Sequence, residues 1–393
     1  MRYSLPIKAT VTCVMLFALV VAPAAAERAA AALSTPVIPP FAVTPLVSDI
    51  PGLASFTDEF LVNPWGMVMG TTGDLLVADN GTGVATLYTN HGIPLELIIN
   101  IPVRPDTLGP SLPTGLVLNE TSDFVIQEGI HAAPARAIFA TEQGVLAGWS
   151  PEVNLTEAIV AAVGSYTPSE APVYTGLTMA TDADGNSFLY AADFRHDRVD
   201  VYDGDWNHVG SFTDPRPHAP LAPYGVATLG NLVWVAFAPP EQSDTAPAQD
   251  DELLGFVDIF AVDGTLLKRF VTGGPLNSPW GITAAPRDFL KLPDMVLIGN
   301  EGDGRISVFD RVSGHFRGQL AEASRRPIER PGLWTLLFPP KPAFSGFPSL
   351  TNPGLTLFFT AGINEEEDGL LGVIRRSRSV PIFPRISRDS GRR

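Results

Sequence analysis

A dense apolar run returns six times along this chain, at intervals of 44 to 63 residues. The runs are LLVAD from Leu75, AIFATE from Ala137, FLYAAD from Phe188, LVWVAF from Leu232, MVLIGN from Met295 and LFFTAG from Leu357. Such unbroken β-branched and aromatic stretches suit a strand buried on both faces. Each is followed by a segment that alternates more: VATLY, VLAGW, RVDVY, FVDIF, RISVF and LLGVI. A period of two fits a strand with one less buried face. Ahead of each run, a glycine opens another apolar segment. Gly66, Gly115, Gly176, Gly225, Gly281 and Gly332 begin GMVM, GLVL, GLTM, GVAT, GITA and GLWTLLF. A more polar segment closes five of the repeats: LELIIN, EAIVAA, HVGSF, LKRFV and FRGQL.

Four short strands per unit predict small sheets that cannot bury both faces alone and must stack on their neighbours in a ring. The sixth repeat has no fourth strand of its own, while FAVTPLVSD, from Phe41 to Asp49, precedes the first repeat and has no other place. Pairing it with the last unit closes the ring and removes exposed sheet edges. The expectation is an all-β chain folded as one six-bladed β-propeller over residues 41–376, closed by an N-terminal strand joining the last blade.

The ends differ in composition. Residues 1–26 carry Arg2 and Lys8, an apolar stretch from Val11 to Val21, and Ala24-Ala25-Ala26, which together read as a secretory signal. The apolar stretch is shorter than the roughly 18 residues of a spanning helix, so export is expected rather than anchoring. Residues 27–40 are an alanine- and proline-rich linker, and residues 377–393 an arginine-rich tail. The single cysteine, Cys13, falls in the signal segment, which leaves no thiol chemistry for the mature chain. With 26 basic against 42 acidic residues the net charge is −16. That sign argues against nucleic acid, which needs clustered lysine and arginine. A monomer with no membrane span after signal removal is expected.

The pattern resembles NHL-repeat and gluconolactonase-like six-bladed propellers. It is more similar to a family of secreted, mostly bacterial propellers that often carry PEP-type C-terminal sorting signals. LVNPWG, VADNGTGVATLY, IFATEQGVLAGW, YAADFRHDRVDVY, NSPWG, GNEGDGRISVF and FTAGINEEEDGLLG carry the resemblance. It implies a fold and a compartment but no reaction, and the arginine-rich tail replaces the sorting helix.

Propeller topology puts the connections between second and third strands on one face, with the loops leading into the first strands. Asn80, Glu142, Asp193 and Asn300 end their second strands there, and Asn63 and Asn277 join from the preceding loops. The acid-rich insertions around Glu241, Asp244, Asp250, Asp251 and Glu252, and around Glu365, Glu366, Glu367 and Asp368, fall on the same face. Hard cations such as Ca2+ or Mg2+ take these oxygen donors, so Asn80, Glu142, Asp193 and Asn300 are candidate metal ligands. In gluconolactonase-like enzymes a similar arrangement polarises a carbonyl or activates water. Short oxygen side chains at strand ends also cap turns. His196, three residues after Asp193, is the candidate catalytic base. The segment TDADGNS, from Thr181, reads as a hairpin turn, since it lacks the distal glutamate of a calcium loop. No GxSxG element or phosphate loop is present. Trp65, Trp280 and Tyr224 precede their repeat glycines, with Thr114, Thr175 and Pro331 at the other three places; such rings are expected to pack between blades. Two functions follow. One is a binding or scaffold module meeting a protein, glycan or small-molecule ligand; the other is a metal-dependent hydrolase, lactonase or lyase.

Overall fold

The computed structural model describes residues 38–105, 107–164, 170–216, 221–240, 254–340 and 355–377. Residues 1–37, where a signal and most of a linker are expected, residues 378–393 and the insertion holding Glu241 to Glu252 lie outside the described residues.

Among the described residues, six sheets of four or five strands form the blades, antiparallel except where the short Phe56–Thr57 strand runs parallel to Phe41–Ser48. Their inner strands are Pro64–Met69, Pro113–Leu118, Tyr174–Thr181, Ala222–Thr228, Pro279–Ala285 and Leu333–Leu337. The second strands are Leu75–Asp79, Ala137–Thr141, Ser187–Asp193, Val233–Ala238, Met295–Asn300 and Thr356–Ile363. The third are Val84–Tyr88, Val145–Trp149, Arg198–Tyr202, Phe256–Phe260, Ile306–Asp310 and Asp368–Arg376. Outer strands of the first five blades are Pro94–Asn100, Ile159–Val163, His208–Phe212, Leu266–Thr272 and Phe316–Gln319. Each inner strand lies against the next, and that of the sixth blade returns to the first. The arrangement is a six-bladed propeller.

The sixth sheet takes its fourth strand from the other end of the chain. Phe41–Ser48 runs antiparallel to Asp368–Arg376, from Phe41 opposite Arg376 to Ser48 opposite Leu370, with an irregularity after Pro45. Proline interrupts the ladder there because it has no N–H to donate.

The core is distributed. Six apolar clusters each join two neighbouring blades. Period-two alternation explains the dense apolar runs, because successive side chains face opposite neighbours. In Leu75–Asp79, Leu75 and Val77 pack with the sixth blade, while Leu76 and Ala78 pack with the second. Both faces need apolar residues, so the run has no polar gap.

The inner-strand glycines set how closely blades approach. A Cβ on Gly66 would overlap the Thr114 carbonyl oxygen, and one on Gly225 or Gly281 would overlap that of Trp280 or Trp334. These partners reveal a register change in the sixth blade. Trp334 occupies the position that Trp65 and Trp280 hold, so Thr335, not Gly332, stands in the repeat-glycine place. Gly332 lies three residues earlier in a left-handed turn, φ 69°, against the Gly362 backbone. Thr335 is tolerated because its hydroxyl donates to the Trp65 carbonyl at 2.7 Å. A threonine hydroxyl there turns a close approach into a hydrogen bond.

One element has no counterpart in the repeat pattern. The hairpin Val125–Glu128 and His131–Pro134 is inserted between the first two strands of the second blade. It is held to the third blade by the Trp206 indole N–H, which donates to the Val125 carbonyl at 2.9 Å.

Candidate functional site

Four aromatic side chains from different blades meet at one mouth of the central channel. Trp65 and Trp334 are stacked with ring centroids 3.7 Å apart. Trp280 and Tyr224 stand edge-on to this pair, with Trp280 5.8 Å from Trp334 and Tyr224 6.3 Å from Trp65. Trp65 and Trp334 are buried, whereas Tyr224 and Trp280 are half-buried. The Trp280 indole N–H crosses to the third blade and donates to the Thr175 carbonyl at 2.8 Å. These rings pack with one another across the axis, rather than only between adjacent blades as expected. Propeller geometry explains why: the first residues of all inner strands converge on the channel. Trp65 Nε1 is buried with no hydrogen-bond partner among the described residues.

Polar side chains ring this cluster. Asn63 is buried, and its Oδ1 accepts the Trp334 indole N–H at 3.0 Å. Asn63 Nδ2 donates to Glu366 Oε2 at 2.8 Å and to Asn80 Oδ1 at 3.4 Å. Asn80 Nδ2 in turn donates to Glu142 Oε1 at 2.7 Å. The chain Glu366–Asn63–Asn80–Glu142 thus links the sixth, first and second blades.

The backbone here is strained. Asn63 has φ 44°, and Ser278, at the matching place before Pro279-Trp280, has φ 45°. Three consecutive residues, Asn364, Glu365 and Glu366, have φ of 55°, 59° and 66°. Left-handed L-residues usually occur singly, so a run of three must be held by its contacts. Here the run brings Glu366 to Asn63.

The other candidate ligands are engaged within their own loops. Asp193 is fully buried; its Oδ1 accepts the backbone N–H of Val173 at 3.2 Å and of His196 at 3.3 Å. His196 Nδ1 lies 2.5 Å from Asp193 Oδ2, and the imidazole is partly exposed. Asn300 donates through Nδ2 to the Pro275 carbonyl at 2.8 Å and to Asp303 Oδ1 at 3.0 Å. Its Oδ1 is buried without a partner among the described residues. The structure therefore brings Asn80 and Glu142 together, and Asp193 and His196 together. Among the described residues, no group of three or more His, Cys, Asp or Glu is placed to hold a metal ion. Asp193 caps its own turn through the His196 N–H, whereas Asn300 ties its turn to the loop leading into the blade.

Asp79, one residue before Asn80, faces the other way. It is buried in the blade and accepts the Thr86 hydroxyl at 2.7 Å. Burial pushes its carboxyl well above the usual carboxylate range, against the pull of that hydroxyl.

Trp334 is the site residue the repeat pattern concealed, since a glycine-anchored alignment shifts it by three positions. Asn63 and Glu366 were legible as residues of this face but not as partners. Among the described residues, no helix is long and apolar enough to cross a membrane.

No protein-family model matches the chain. Uncharacterized protein R648 of Acanthamoeba polyphaga mimivirus is 30% identical over 342 residues, 85% of this chain and 80% of the viral protein. Uncharacterized protein L690 of the same virus is 29% identical over 342 residues, 85% of this chain and 86% of its own length. These relatives are viral, whereas the resemblance in the repeats pointed to mostly bacterial proteins. Among solved structures, virginiamycin B lyase from Staphylococcus aureus is 11% identical, with 85% of this chain and 99% of that one covered and a TM-score of 0.46. At that distance the likeness carries no argument about activity.

Proposed function

The chain belongs to one family with protein R648 of Acanthamoeba polyphaga mimivirus, and from that premise we propose that it is a binding module whose ligand is a glycan met at the aromatic channel mouth. The single observation behind this reading is the linked rim Glu366–Asn63–Asn80–Glu142 set around Trp65, Trp334, Trp280 and Tyr224. Sugars offer hydroxyls to bidentate amide and carboxylate groups, and C–H faces to aromatic rings. The half-buried Tyr224 and Trp280 supply accessible rings, and the strained loops hold the rim in place before binding. The N-terminal signal pattern supports export, which would bring the module to extracellular glycans.

A glycan microarray probed with the purified chain tests this. Retention of a defined oligosaccharide class, lost on Asn80→Ala and on Glu142→Gln, supports it. An array with no retained glycan, or variants that bind like the parent, would overturn it.

A second reading, a hydrolase or lyase, has one observation in its favour. Buried Asp193 holds His196 through Nδ1, the way a carboxylate orients a catalytic base. Asn80 is paired with Glu142 and Asp193 with His196, and no step of this reading is assigned to Ca2+ or Mg2+. Turnover of a lactone or ester panel that disappears in His196→Ala would favour this reading over binding alone.

A further inference from the structure

A cleft of about 300 Å³ opens between the third and fourth blades. The turn at Asp182 joins inner to second strand and the turn at Asp263 joins third to outer strand, so both lie on the face opposite the aromatic mouth. The cleft is lined by Phe188, Val201, Val209 and Phe212, together with Asp182 and Asp263. Val209 remains 53% exposed, an apolar side chain left open on an outer strand. Gly210 lies beside it on the same wall, and a Cβ placed there meets nothing within 4 Å. The space is therefore not claimed by the protein's own packing.

Both carboxylates are held as anions. Hydrogen bonds from the Asn186 side chain and backbone keep Asp182 below the usual carboxylate range, and the Thr265 backbone N–H does the same for Asp263. Neither makes an ion pair among the described residues. The basic residues of the following outer strand are turned to other partners: Lys268 Nζ donates to the Val312 carbonyl at 2.8 Å, and Arg269 pairs with Asp258 and Asp214. The Tyr190 phenol, whose O–H donates to the Val262 carbonyl at 2.7 Å, is pushed up to about 12 by burial and then by Asp182 and Asp263.

We propose that this cleft binds a small aromatic ammonium ion of the arylalkylamine class. Its volume is at the lower end of ligand pockets, roughly 300–1,000 Å³, which suits a single ring on a short chain. Phe188, Phe212 and the valines accept the ring, and the two uncompensated carboxylates accept the ammonium. An anionic ligand of the same shape would meet like charge.

Isothermal calorimetry on the full chain with 2-phenylethylammonium tests the proposal, with 2-phenylethanol and 3-phenylpropionate as uncharged and anionic matches. The expected result is saturable one-site binding of the cation, weakened about tenfold or more for the alcohol and undetected for the carboxylate. Asp263→Asn weakens the cation by a similar factor. Gly210→Leu fills the open space, which its surroundings permit, and abolishes binding while the unfolding midpoint is unchanged. Absence of cation binding up to about 10 mM, equal binding of the alcohol, or full affinity in Gly210→Leu would overturn it.

Discussion

Trp334 in the sixth blade donates its indole N–H to Asn63 Oδ1 in the first, at 3.0 Å and across 271 positions of sequence. The same asparagine reaches Glu366 and Asn80, so one buried amide joins the aromatic cluster to the polar rim. The bond also bridges the two blades where the ring closes. Trp334→Phe keeps most of the packing but leaves a buried acceptor unsatisfied, which costs about 1–3 kcal/mol. Asn63→Gly relieves the left-handed backbone but leaves the buried Trp334 N–H unsatisfied and removes the bonds to Glu366 and Asn80, so its net cost is expected to be at least as large. Because both changes break one interaction, the double variant should lose less than the two single losses together. Urea unfolding of the four proteins measures this coupling.

Blade spacing depends on glycine where inner strands touch. A side chain on Gly225 would drive into the Trp280 carbonyl, part of the backbone and unable to swing aside. Gly225→Ala should destabilise by about 1–3 kcal/mol, the usual cost of overpacking. Gly210→Ala, in an outer strand with open space around it, should be neutral or stabilising by about 0.4–1 kcal/mol through the unfolded chain. Equal effects at both positions in thermal unfolding would contradict the packing argument.

Asp258 supplies a pH signature. Burial raises its carboxyl from the ordinary 3.8 to about 6, against the pull of Arg269 and Arg216 and with a further push from Asp214. A raised folded-state value means the native chain holds this proton more tightly than the unfolded chain. The stability it contributes is therefore full below about pH 3.8 and is lost as pH rises through about 6. Asp258→Asn removes that dependence. Denaturant unfolding from pH 4 to pH 7 should show the parent losing stability relative to the variant as pH rises. A relative gain would mean that Arg269 dominates and holds the carboxyl low.

The blade count and the strand order were legible because hydrophobic periodicity reports burial directly: two buried faces leave no polar gap in Leu75–Asp79 or Met295–Asn300. The Phe41–Ser48 strand could be placed because the sixth blade lacked an outer strand. The register of that blade was not legible, since Gly332 mimics a repeat glycine while Thr335 fills the real position through its hydroxyl. Site chemistry was legible only as to face. Residue type cannot tell a carboxylate turned to its own loop, as Asp193 is toward His196, from one turned to a neighbouring blade. Nor could spacing announce that Asn364, Glu365 and Glu366 wind left-handed. That run carries Glu366 to Asn63, 303 positions away in sequence.

The central claim is that ligand meets the aromatic mouth. Hydrogen–deuterium exchange of the full chain, with and without the oligosaccharide retained on the array, tests it most directly. The predicted result is added protection in the segments around Asn63–Trp65, Asn80–Gly83, Glu142–Gly144 and Asn364–Asp368, with the opposite face unchanged. Protection confined to that opposite face, or none at saturating ligand, would contradict it.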